Sequence, residues 1–321
     1  MSGVTLNAVV ERFLRHKRAL GRKYQSEERE LQLLLHYAEQ RGVTALGEIT
    51  PAMLEDFLAS RPRSRPRSFN HLRGVVACLF DWAVSQQLLE NSPLRTRRRR
   101  VTTWRLPFVF DTTQARQLLR TAAALPDNPR ARERGLTYHC ILALCYGLGL
   151  RAGEACGLHL GDVDLERDVL VVRGGKFGKS RLVPFGPRIA ELLSQQVQRR
   201  QSTAVDAHAP LFTFDGRTCV HPGTVSQVFH HLVARLDLPL RDGVSPPRLH
   251  DLRHSFAVGR LLRWYREGVD PSARLHHLST FLGHVDPSST AVYLKMTPEL
   301  LQEANRRFES FARPAWEEAL S

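Results

Sequence analysis

At 321 residues the chain is long enough for two domains with cores of their own, and its five cysteines are too few for a disulfide-built miniprotein. With 42% hydrophobic and 24% charged residues it matches a protein that folds in water, which excludes wholesale disorder. A net charge of +14, from 46 Lys and Arg against 32 Asp and Glu, points to a polyanionic partner, nucleic acid ahead of anionic membrane.

The basic excess is steepest at the front, where residues 1–100 hold 18 basic and 10 acidic side chains. The first residues lack a basic start followed by an apolar run, so no secretory signal is expected. No stretch reaches the ~18–20 apolar residues of a membrane span. The cysteines are odd in number and show no CxxC spacing, which predicts reduced thiols in a cytoplasmic protein.

Helical spacing of Leu6, Val9, Val10, Phe13 and Leu14, and of Leu31, Leu34, Leu35 and Ala38, predicts two amphipathic helices around a turn at Gly21. Thr50 followed by Pro51 is an N-cap and first-position pair that opens a third. The Pro/Arg/Ser segment 61–68 interrupts the pattern before a fourth helix carrying Leu72, Val75, Val76, Leu79, Phe80 and Trp82. Residues 1–94 thus read as a four-helix module. Residues 95–110 read as a basic linker, because Arg95, Arg97, Arg98, Arg99 and Arg100 form a like-charge run with no apolar anchor before Trp104. A solvated connector and a strip of phosphate contacts fit that run equally well.

Residues 111–321 form the second domain, opened by Asp111 as an N-cap and mostly helical. One β-rich patch stands out: runs at 168–173 and 181–184 around the Gly-rich, basic turn 174–180 predict a hairpin. After Tyr293, Thr297 and Pro298 start a last helix with Leu300, Leu301, Ala304, Phe308 and Phe311 on one side, which packs on its own domain or on a neighbouring protomer.

Singly, the polar residues of this domain have plain explanations. Arg151 could pair with Glu154 on the surface, Lys176 could be a solvated turn lysine, and Tyr293 a half-buried helix tyrosine. His250 and His254, four apart, have the spacing of a zinc pair, but Asp251 stands where the zinc protease motif has Glu, and Arg253 would put a fixed cation between the ligands.

Together they resemble the tyrosine recombinase (phage integrase) family. Its elements occur in order: Arg151 and Glu154 in an Arg-x-x-Glu turn, the hairpin lysine Lys176 25 positions later, His250 and Arg253 in His-x-x-Arg, His284 in Leu-Gly-His, and Tyr293 nine residues beyond. The 30 residues between Arg253 and His284 exceed the Xer-like spacing and are similar to recombinases encoded by transposable elements, including those found in sets of three. The resemblance implies a mainly α fold with a small β-sheet or hairpin. Its parts are an N-terminal four-helix, SAM-like core-binding domain and an α+β catalytic domain.

The family's activity is cutting and rejoining DNA through a 3′-phosphotyrosine, without a cofactor or metal. The resemblance assigns Arg151, Arg253 and His284 to the scissile phosphate and Tyr293 to attack on phosphorus. It makes His250 the base, Lys176 the acid that protonates the leaving oxygen, and Glu154 the residue that orients Arg151; His254 is read as structural. Lys179 and Arg181, with the arginine run, are expected to touch DNA. The implied partner is double-stranded DNA with a specific recombination site, clamped between the domains and bound by a tetramer on paired sites, alone or with other recombinases. Two rivals are a catalytically silent accessory factor of a recombination complex and a metal-dependent phosphohydrolase using His250, His254 and His284. A relaxing topoisomerase side activity shares the same chemistry.

Overall fold

The structure, a computed structural model of the whole chain, describes all residues except 1–3, 102–104, 175–179, 202–205, 285, 287, 296–299, 301, 304, 307–308 and 310–321. It divides into two compact units, Met1–Trp104 and Arg105–Ser321.

The first unit is built from α1 (Leu6–Ala19), α2 (Gln25–Glu39), α3 (Pro51–Ala59) and α4 (Pro66–Ser85). Local chemistry sets the helix starts. Thr5 caps α1 by accepting from the Ala8 amide, and Thr50 caps α3 by accepting from the Met53 amide with Pro51 at the first position. The apolar stripes meet in one core that includes Phe13, Leu34, Phe57, Leu72 and Phe80.

The arginine run, read as a basic linker that is either solvated or in contact with phosphate, is tied to α4 through Thr96 and Arg99. Asn70 donates to the Arg99 carbonyl and accepts from the Arg99 amide, both at 2.8 Å, as a neighbouring strand would. The Arg99 guanidinium lies 3.8 Å over the Phe69 ring and donates to the Arg63 carbonyl, while Arg73 donates to the Thr96 carbonyl. The Phe69 ring and two further side chains of the preceding helix, Asn70 and Arg73, give this charged segment the anchor that its own sequence lacks.

The second unit wraps α5 (Thr112–Ala123), α8 (Pro187–Gln201) and α10 (Asp251–Arg266) around α6 (Arg134–Gly147), whose Cys140, Ile141, Leu142, Leu144 and Cys145 are buried, and α9 (Pro222–Val233) packs on α5. Asp111 and Gln114 close a reciprocal capping box on α5. The hairpin is present as β2 (Val169–Val172) and β3 (Arg181–Pro184), with Val172 opposite Arg181; β1 (Val163–Asp164) adds a third antiparallel strand. Leu170, Val172 and Val183 turn inward onto the core. This mainly helical chain with one small sheet is the fold class that the sequence predicts.

Three short elements complete the unit: α7 (Ala152–Cys156), α11 (Pro271–Leu282) and α12 (Ser288–Ala291), the last running into a 3-10 turn, Val292–Lys295. Of the predicted terminal helix, Leu300 is buried beside Tyr293 and Leu278, while Leu301, Ala304, Phe308 and Phe311 lie outside the described residues. All five cysteines are unpaired. No helix among the described residues is long and apolar enough to cross a membrane.

Candidate active site

Four segments deliver the site: the turn before α7, strand β3, the first turns of α10, and the stretch from the end of α11 through the 3-10 turn. Two glycines let them close up. Gly149 has φ +63°, and a Cβ there would stand 2.6 Å from Phe256 Cδ1. Gly283 ends α11 at φ +67°, where a Cβ would stand 2.8 Å from the Arg181 guanidinium. Only glycine takes that backbone at little cost and leaves that room. Both carbonyls accept from site arginines: Gly149 from Arg253 Nη1 at 2.6 Å, Gly283 from Arg151 Nη2 at 3.2 Å.

Glu154 is the hub. As the third residue of α7 it accepts from the Arg151 amide at 3.0 Å and from Arg151 Nη1 at 2.6 Å. It also receives both terminal nitrogens of Arg181, at 3.0 and 2.9 Å, and lies 4.0 Å from Arg253 Nη1. Burial alone would raise its pKa, but the hydrogen bonds from Arg181 and Arg151 prevail and bring it down to about 2. One carboxylate thus holds three guanidinium groups together, and the cluster keeps a surplus of positive charge.

Arg253 is 1% exposed. It donates to the carbonyls of Gly149 and Leu282, both at 2.6 Å, while its Nε has no hydrogen-bond partner among the described residues. Burial, and then the nearby Arg151, lower its pKa to about 10, so it stays charged at neutral pH.

Tyr293 is 3% exposed. Its hydroxyl sits 3.1 Å from His254 Nδ1, and its ring stacks on His284 with centroids 6.2 Å apart. Burial raises its pKa despite the opposing pull of Arg253 and Arg151, so the phenol is protonated at rest. His284 is fixed by its Nδ1 contact of 2.7 Å with Thr290 Oγ1, and His250 stands edge-on to His254 at 4.8 Å. Burial first lowers all three histidines to about 4, so each is a neutral imidazole at pH 7.

Arg151, Glu154, His250, Arg253, His284 and Tyr293 therefore converge. Lys176 and Lys179 lie outside the described residues. Arg181, expected to reach DNA, instead turns inward: its three nitrogens are spent on Glu154 and the Phe281 carbonyl. His254, read as structural, is the histidine bonded to Tyr293; among the described residues His250 has no such bond. The one sequence signal for this was position, because His254 shares the helix turn of Asp251 and follows Arg253 directly. Among the described residues no group of three or more His, Cys, Asp and Glu side chains is placed to hold a metal ion.

Residues 109–299 match the model of the phage integrase family. The chain is 33% identical to a putative integrase/recombinase of Sinorhizobium fredii over 95% of its own length and 97% of that protein. It is 30% identical to the tyrosine recombinase XerD of Ralstonia nicotianae, over 85% and 83% of the two chains. Its fold is similar to that of the Tn1549 transposon integrase in complex with transposon right end DNA (TM-score 0.66, 17% identity, 96% and 100% of the two chains). It is likewise similar to a lambda integrase dimer bound to a core site (TM-score 0.62, 17% identity, 90% and 77%). The chain belongs to the phage integrase family, and with it to the tyrosine-type site-specific DNA recombinases.

Proposed function

We propose that this recombinase cuts one DNA strand at a time with Tyr293, storing the bond energy as a 3′-phosphotyrosine until another strand is rejoined. The observation that carries this reading is the buried Tyr293 hydroxyl facing a pocket of surplus positive charge. Phosphoryl transfer asks the protein for positioning and charge neutralisation more than for covalent work. Arg151 and Arg253 supply permanent charge for the non-bridging oxygens, and Arg253 Nε is a donor without a partner among the described residues. His284, neutral and aligned by Thr290, donates from its other ring nitrogen, and His250 completes the wall beside the arginines. Lys176, on the loop between β2 and β3, protonates the departing 5′ oxygen. Glu154 positions Arg151.

The substrate is duplex DNA carrying a specific recombination site. Arg95, Arg97, Arg98 and Arg100 add sequence-independent phosphate contacts. Structures of family relatives as dimers and tetramers on DNA support assembly of this chain as a multimer on paired sites. The spacing between Arg253 and His284 favours a mobile-element role, and action on DNA a cytoplasmic one. A silent accessory factor is the weaker reading, since an inactive protein has no need of a buried tyrosine set beside a buried Arg253 and a half-buried Arg151.

The test is trapping on a nicked suicide duplex with EDTA present. A covalent adduct that disappears with Tyr293→Phe supports the reading. An adduct or cleavage that needs a divalent metal favours the phosphohydrolase.

A further inference from the structure

A tyrosine that attacks phosphorus must lose its proton, and the structure gives that proton one direction. The hydroxyl has one hydrogen and two lone pairs. Arg253, whose charge pulls the Tyr293 pKa downward, carries no acceptor and cannot take that hydrogen. The hydrogen is left for an acceptor, and His254 Nδ1 stands 3.1 Å away, inside general-base range.

We propose that His254 accepts the Tyr293 proton during strand cleavage, with Asp251 as the residue that positions and charge-stabilises its ring. This rests on the reading of Tyr293 as the nucleophile. The Oη–P bond forms as the P–O5′ bond breaks; the phenolic proton passes to His254 Nδ1, and O5′ takes a proton from Lys176. Religation runs the same transfers backward.

Three features support the assignment. To accept at Nδ1, a neutral imidazole carries its hydrogen on Nε2, which faces the Asp251 carboxylate at 3.8 Å, an electrostatic rather than a hydrogen-bonded separation. Asp251 is fully buried and clamped by Arg248, whose amide and Nη2 donate at 2.9 and 3.0 Å, so its charge stays fixed toward the ring. Burial holds His254 neutral at pH 7 with the lone pair free, and a phosphodiester entering beside Arg253 makes it more basic. His250 is one ring further away, in edge contact with His254 rather than with the hydroxyl.

The experiment compares His254→Asn with the parent protein, because the Asn amide oxygen can replace Nδ1 as a hydrogen-bond acceptor but cannot take a proton. The probe is a duplex recovered from a randomised pool by the full-length Tyr293→Phe protein, nicked to trap the adduct. General-base loss predicts adduct formation slowed by about 100-fold or more. A rate within about threefold of the parent overturns the proposal, since positioning alone survives in Asn. A second arm places a fluorinated tyrosine, whose phenol is more acidic, at position 293, so that less of the proton transfer falls to a base. The loss caused by His254→Asn should shrink there, and an equal loss in both arms overturns the proposal in favour of a role in the phosphate pocket or in folding.

Nitrogen NMR of the DNA-free protein gives a readout independent of turnover. Nδ1 of His254 should be unprotonated and should shift on Tyr293→Phe; a proton found on Nδ1 overturns the assignment. An adduct that survives Tyr293→Phe removes the underlying reading as well, whereas an adduct lost there but retained in His254→Asn removes this inference alone.

Discussion

Glu154 offers both carboxylate oxygens to Arg181, at 3.0 and 2.9 Å, while the same carboxylate takes a 2.6 Å bond from Arg151. A strand residue beside the Lys176 loop and the arginine assigned to the phosphate thus share one anchor, so the hairpin and the pocket are mechanically joined.

Removing that anchor leaves three guanidinium groups facing one another. Glu154→Gln should cost about 3 kcal/mol in urea unfolding at neutral pH, the scale for a buried pair broken from one side. The dependence on pH has a definite sign. The folded pKa, about 2, lies below the ordinary 4.5. The stabilisation is therefore complete above the ordinary value and lost as pH falls through the folded one, so parent and variant should converge in acid. A constant gap would contradict the assignment.

The three site histidines act in the same direction over a higher window. Their folded values, about 4, lie below the ordinary 6.5. Between those values the unfolded chain binds protons that the folded one refuses, so stability falls as pH drops from 6.5 toward 4. Urea midpoints across that range should decline, and His250→Gln should flatten the decline. An unchanged slope would place His250 in water.

The arginine run should divide by role. Arg98→Ala is expected to weaken DNA binding at every sequence and to lower the salt slope by about 1. Arg99→Ala should instead destabilise the first unit, because its guanidinium is engaged with Phe69 and the Arg63 carbonyl. Salt titrations with melting curves of both variants check this; equal salt slopes with equal stability would refute it.

The parts legible in the sequence were those that local chemistry determines. Thr50 and Asp111 cap helices because an N-cap needs only the next few amides. The β2–β3 hairpin follows from alternation around a glycine-rich turn. The order of Arg151, His250, Arg253, His284 and Tyr293 carried the family, and the structure brings them together. What escaped notice depends on elements meeting across long separations. His254 reaches a tyrosine 39 positions away, Arg181 a glutamate 27 positions back, and Arg99 an asparagine 29 positions back. Helical periodicity marks the buried face of α10, but it cannot say which of two histidines a turn apart faces the hydroxyl. Nor does composition separate an arginine that waits for phosphate from one already paired inside the protein.

The most direct measurement is the identity of the residue that carries the DNA. After trapping on a nicked duplex in EDTA, nuclease and protease digestion followed by mass spectrometry should find the nucleotide remnant on Tyr293 alone among the six tyrosines of the chain. A remnant on another tyrosine, or on a serine, would contradict the account at its centre.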